Sequence, residues 1–296
     1  LQYVAFTNST VLGNDDISFI EKVENQNLHG LGQPDMLIVT HPDFEEAAQR
    51  LAEFRTTNDG LEVAVVDAFD IYNEFASGKP EATAIRDFVK MLYDRAAGNA
   101  DLQPRFLLLF GDGSYDFKNL EYSANANTNK VPTFQSYPTI NPLSSFPADD
   151  YFGLLDDGEG DNLRTANVHL DIAIGRLPAN TALEADQMVD KIIHYSTSPE
   201  THGSWRNVIT FVADDEDNSI FVQQSDDIVD ELSPAQPAYN IDKIYLDAYE
   251  QVVGSGGQRY PEVNRAINNR IFSGTFIINY LGHGSSSSWT GERVLG

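Results

Sequence analysis

Of the six histidines in this chain, one sits where an imidazole could do chemistry. His283 lies between Gly282 and Gly284, directly after the strand-like run Phe276 to Leu281. A side chain between two glycines at a strand end is exposed, and the glycines let backbone amides face a bound group closely. Imidazole is also the side chain best suited to proton transfer near neutrality. Two rival uses are weaker. Metal ligation lacks a His-Glu-x-x-His or comparable cluster. A serine hydrolase would draw on Ser285 to Ser288, but no Gly-x-Ser-x-Gly elbow is present. His29, His41, His169, His194 and His202 fall in no informative pattern.

The elements that must carry His283 follow from periodicity. Met36 to Thr40 is apolar enough for a strand buried on both faces. Phe44 to Arg55 has helical spacing, with Asp43 expected as its N-cap. Leu61 to Val66 predicts a strand, Thr83 to Ala96 a helix, and Phe106 to Phe110 a third strand. Residues 113–165 are rich in Asn, Tyr, Pro, Ser and Asp and read as a long irregular insertion. Val168 to Ile174 predicts a strand and Ala182 to Tyr195 a helix. A boundary is expected at Thr197 to Gly203. Strands at Val208 to Val212, Lys243 to Leu246 and Thr275 to Leu281 then alternate with helices at Phe221 to Leu232 and Pro261 to Phe272. Alternation of this kind implies an α/β fold with parallel sheets flanked by helices.

The plan occurs twice. Val65 to Phe69 matches Tyr245 to Tyr249, and each is followed by a loop, a helix, an apolar strand and a Gly-x-Gly-Ser tetrad. The tetrads are Gly111-Asp112-Gly113-Ser114 and Gly282-His283-Gly284-Ser285. A duplication puts both at the carboxyl ends of parallel strands, where open α/β sheets place ligands. One copy carries an acid where the other carries the imidazole.

Bulk composition narrows the function. The chain has 296 residues, with 19 Lys+Arg against 45 Asp+Glu and a net charge of −26. Such a surface repels phosphate backbones and anionic membranes, so nucleic acid is excluded as a partner. No apolar run approaches the ~18 residues needed to span a bilayer, so no transmembrane segment is expected. No signal-peptide pattern opens the chain, so any leader has been removed or lies outside these residues. There is no cysteine, which removes disulfides, thiolate metal sites and a cysteine nucleophile from these residues.

With these residues in view, the segment Ile278 to Ser285 followed by Trp289 resembles the histidine motif of the gingipain family of caspase-like cysteine peptidases. Five further stretches resemble one branch, the PorU-type sortases of the type IX secretion system: Glu24 to Gly30, Leu108 to Asp116, Pro147 to Phe152, Ile174 to Leu177 and Trp289 to Glu292. The resemblance covers essentially the whole chain. It implies two tandem caspase-like subdomains: a lead-in at 1–33, a non-catalytic subdomain at 34–200, and an incomplete catalytic subdomain at 204–296. It implies His283 as general base or acid, with the Gly284 amide in the oxyanion hole. The carboxylate orienting the histidine would be Asp214 or, next, Asp215, in an acidic run that continues through Glu216 and Asp217.

The family's nucleophilic cysteine follows its histidine by a few tens of residues, whereas thirteen residues follow His283 here. The chain is thus expected to be a fragment, inactive alone, of a secreted or outer-membrane-associated enzyme. Its partners would be protein or peptide substrates and other secretion-system or cell-surface proteins. The alternative is a non-catalytic secreted interaction module. No cofactor is required for the chemistry. The family's use of calcium directs attention to Asp156, Asp157, Glu159 and Asp161, which either ligate calcium or form a metal-free acidic hairpin tip. Asp112 and Asp116 are secondary candidates.

Overall fold

A computed structural model describes residues 23, 25–117, 129–136, 145–160, 163, 169–255, 257–285 and 287–296. The chain divides into two compact units, Leu1–Ile193 and His194–Gly296.

In the first unit, β1 (Met36–Thr40) is buried at every position. It runs parallel between β2 (Val63–Asp67) and β3 (Phe106–Phe110), and β3 pairs in turn with β4 (Ala173–Leu177), giving the order β2-β1-β3-β4. Side chains alternate across a strand, so β1 feeds two cores. Leu37 and Val39 pack with α2 (Ala68–Phe75) and α3 (Ala82–Arg95). Met36 and Ile38 pack with α1 (Glu45–Asp59) and α4 (Ala182–Thr197). The α3 stripe Ala84, Ile85, Phe88, Val89 and Leu92 is wholly buried, as its three-and-four spacing requires.

Among the described residues the second unit repeats the arrangement with three parallel strands where the first has four. β5 (Val208–Ala213) lies parallel between β6 (Asn240–Tyr245) and β9 (Ile277–Leu281), in the order β6-β5-β9. On one face α5 (Ile220–Ala235) packs Val229 against Ile209 and Phe211. On the other, α6 (Pro261–Ser273) packs Val263 and Ile267 against Val212 and Ile244. The hairpin β7 (Val252–Gly254) and β8 (Gly257–Arg259) joins β6 to α6.

Three expectations change. Asp43 does not cap α1: Pro42–Phe44 form a preceding 3-10 turn in which the His41 ring accepts from the Asp43 amide, and the Asp43 carboxylate pairs with Lys130 Nζ at 2.6 Å. Strand β4 lies several residues beyond the expected 168–174, because its buried-side polar residue Arg176 hid it from an apolar pattern. The unit boundary falls within the last turns of α4, ahead of the loop at 197–203. Most of the lead-in at 1–33 and much of the insertion at 113–165 lie outside the described residues. Among the described residues no helix is long and apolar enough to cross a membrane.

Candidate active site

The site is built from the ends of two neighbouring parallel strands. Ala213 pairs with Leu281, and the ladder extends one step further, the Asp214 amide donating to Leu281 O at 3.0 Å. Asp214 therefore stands beside Gly282, with its side chain fully buried. The fit demands glycine: Gly282 has φ +158°, and a Cβ there would collide with the Asp214 Cβ and the Tyr280 hydroxyl.

Asp214 holds His283 at two points. Its Oδ2 accepts from the His283 backbone N–H at 3.0 Å and faces the ring Nδ1 at 3.2 Å. A carboxylate can only accept, so Nδ1 donates to Asp214, and Nε2, which faces the exposed Asp217 carboxylate at 3.3 Å, is the nitrogen whose proton can exchange. The ring is 47% exposed while the Asp214 side chain is 0% exposed, so a dry carboxylate orients an imidazole open to solvent. Phe221 meets the ring edge-on at 5.2 Å. The Tyr280 hydroxyl and the Thr290 amide both donate to the His283 carbonyl, and Tyr280 stacks on Trp289 at 4.4 Å.

Two more acids complete the surroundings. Glu216 Oε2 lies 3.2 Å from Nδ1, and Asp217 Oδ2 lies 3.3 Å from Nε2. Asp217, Asn218 and Ser219 all adopt left-handed backbone angles, a strained run that carries the Asp217 carboxylate to the ring. The His283 pKa is raised above its ordinary 6.5, first by the hydrogen bond to Asp214 and then, against desolvation, by the charges of Asp217, Asp214 and Glu216. The roles of Glu216 and Asp217 were not legible singly. Their only signal was four consecutive acids after an apolar strand.

Gly284 and Trp289 form a bridge in which Thr290 N donates to His283 O and Ser285 N to Ser288 O. That is the non-hydrogen-bonded kind of pair, so the Gly284 N–H points away from the bridge and toward solvent. The serines close a polar turn, with Ser285 Oγ within 3.1 Å of Ser288 Oγ.

Among the described residues of the acidic loop, Asp156, Asp157 and Glu159 do not share one ion-sized group. Asp157 is fully exposed and pairs with Lys90, Asp156 meets Tyr93 Oη at 3.4 Å, and the Glu159 carbonyl accepts from Arg86. Asp161 lies outside the described residues. Among the described residues, the groups of acids and histidine close enough to share an ion are Asp214, Glu216 and His283, and Asp214, Asp215 and Glu292. Asp116 is buried near the other strand end.

Parallel sheets flanked by helices in this order give the chain a caspase-like α/β fold. The chain belongs to peptidase family C25, whose model matches residues 29–296. It is similar to dimeric latent PorU from Porphyromonas gingivalis, with 40% identity and a TM-score of 0.52 over 62% of this chain and 17% of that one. It is also similar in fold to the Arg-specific cysteine proteinase gingipain R, at 19% identity and a TM-score of 0.60 over 94% of this chain and 52% of that one. A third structure, described as a protease, matches at 18% identity and a TM-score of 0.55 over 86% of this chain and 46% of that one. The chain thus spans between 17% and 52% of the length of these proteins. No curated protein matches it.

Proposed function

We propose that His283 and Asp214 serve a cysteine peptidase or transpeptidase, acting on secreted or cell-surface proteins, whose thiol comes from outside these 296 residues. One observation carries this reading: Nδ1 is held by a fully buried carboxylate in a ring that is 47% exposed, with Nε2 facing, among the described residues, only the exposed Asp217 carboxylate at 3.3 Å. Nε2 would take the proton of a thiol, and the thiolate would add to a peptide carbonyl. The Gly284 N–H, which makes no bond across its bridge to Trp289, would receive the resulting oxyanion. Collapse would release the amine with the proton returned from Nε2, leaving a thioester for water or a second amine. The sequence resemblance to the PorU-type sortases would make that acceptor an amine and the role one of processing secreted proteins.

The duplication supports where the thiol would lie. In the first unit β4 covers the outer edge of β3, whereas among the described residues β9 pairs with β5 alone. A strand taking the equivalent place beside β9 would bring a residue at its end next to His283.

The test is a longer product of the same gene that includes the first downstream cysteine, assayed on peptide substrates. His283→Ala should lower turnover by ~10³-fold and Asp214→Asn by ~10²-fold, the scale of a lost general base and its orienting partner. Thiol-dependent turnover surviving in His283→Ala would refute the assignment. A longer product with no cysteine would favour the non-catalytic module.

A further inference from the structure

We propose that Asp217, with Glu216 beside it, makes the enzyme prefer substrates whose residue immediately after the scissile bond is lysine or arginine. The preference presupposes the peptidase reading above and adds which side of the substrate the site reads.

The chemistry of the histidine fixes that side. When the tetrahedral adduct collapses, the C–N bond breaks, the nitrogen keeps the bonding pair and takes the proton from Nε2, and the ring returns to its neutral form. A general acid works within ~2.6–3.2 Å of the atom it protonates, so the departing nitrogen sits beside Nε2. Asp217 Oδ2 is 3.3 Å from that same ring atom, and Glu216 Oε2 is 3.2 Å from Nδ1. The residue that carries the departing nitrogen therefore projects its side chain past two carboxylates.

Three observations set these acids apart from a merely solvated run. Among the described residues neither pairs with a lysine or arginine, and the ionic partner each does have is the imidazole. Their side chains are 53% and 60% exposed, whereas the neighbouring Asp214 is dry and already engaged by the His283 ring and backbone. Asp217 is also held out at a cost. It begins three successive non-glycine residues with φ of +55°, +56° and +61°, placed between the Asp215 carboxylate, which accepts from Tyr260 Oη at 2.6 Å, and the first turn of α5. Strain of this kind persists where a group has to be aimed. An open carboxylate beside the leaving nitrogen accepts charge-assisted hydrogen bonds from an ammonium or guanidinium and repels an acidic side chain.

The test uses the longer gene product with its downstream cysteine and four peptides that share one accepted sequence before the bond. They differ only in the residue after it, which is Lys, Arg, Ala or Glu. The kcat/KM should be highest for Lys and Arg, lower for Ala and lowest for Glu. Asp217→Asn, which tolerates the left-handed backbone as aspartate does, should lower the Lys-to-Ala ratio ~3–5-fold, the scale of an exposed ion pair. Adding Glu216→Gln should lower it further, and Asp217→Lys should put the Glu peptide ahead of the Lys peptide. Asp87→Asn, an equal change of net charge on α3 of the first unit, should keep the parent's ratio. A rate loss in Asp217→Asn shared equally by all four peptides would mean that the acid acts on the ring alone, and would overturn the proposal. A basic preference that follows the residue before the bond, in a second peptide series varied there, would overturn the placement. A parent that turns over by its thiol without favouring Lys or Arg strikes this proposal and leaves the peptidase reading standing; a parent with no thiol-dependent turnover strikes both.

Discussion

At the end of β3 the chain reads Gly111-Asp112-Gly113, and at the end of β9 it reads Gly282-His283-Gly284. The neighbouring strands exchange residue types as well. His41 follows Thr40, the partner of Phe110, whereas Asp214 follows Ala213, the partner of Leu281. Acid and imidazole have traded strands. The two histidines also titrate in opposite directions. Burial, then the Lys130 charge, lowers the His41 pKa, while hydrogen bonding to Asp214 raises that of His283.

What separates the two ends is closure. In the first unit Arg176 donates to Gly111 O, Val131 O, Pro132 O and both oxygens of Asp149, so its guanidinium stoppers the strand end. In the second unit no guanidinium among the described residues does this, and the imidazole meets water. One backbone design, repeated, becomes a structural plug in one copy and an open proton-transfer group in the other.

Arg176→Ala should break this comparison most forcefully. It leaves the Asp149 carboxylate with the Thr133 hydroxyl but no charged partner and should cost about 3–5 kcal/mol. Both tryptophans, Trp205 and Trp289, belong to the second unit. Circular dichroism should therefore show an early loss of structure in urea while the tryptophan fluorescence midpoint stays put. If the two move together, the units do not unfold separately. Gly282→Ala comes next, at about 2–3 kcal/mol from strain and overpacking. It should move the fluorescence midpoint instead and release the Asp214 contact to His283.

The smallest effect sharpens the contrast between the histidines. By NMR titration, His283 should have a midpoint above 6.5 and His41 one below it. Asp214→Asn should lower the His283 midpoint most, with Asp217→Asn and Glu216→Gln following. The linkage has opposite signs at the two sites. His283 contributes stability below pH 6.5 that fades as pH rises through its raised folded midpoint. His41 contributes above pH 6.5 and loses that contribution as pH falls toward its lowered one. A melting series across this range that moves with only one of the two signs would remove one side of the comparison.

The sheets were legible because β1, β3 and β5 are short apolar runs that only a two-sided burial explains. His283 was legible because glycines flank it. The eight-residue α2 was not, since Asp67 and Asp70 made its start resemble a loop; Asp67 in fact caps it by accepting from the Phe69 amide at 2.8 Å. The β7–β8 hairpin is almost wholly exposed and leaves no alternation to read. Glu292 sits in what looks like a surface turn, and its burial is a tertiary fact that local pattern does not encode.

Asp214 and His283 are separated by 69 positions along the chain. At a synthesis rate of ~5–20 residues per second, the carboxylate leaves the ribosome ~3–14 s before the ring it must orient. A parallel neighbour cannot be supplied by a hairpin, so β5 stays unpaired on that side throughout the delay. A carboxylate wholly dried in the finished molecule thus waits in water until its partner strand arrives.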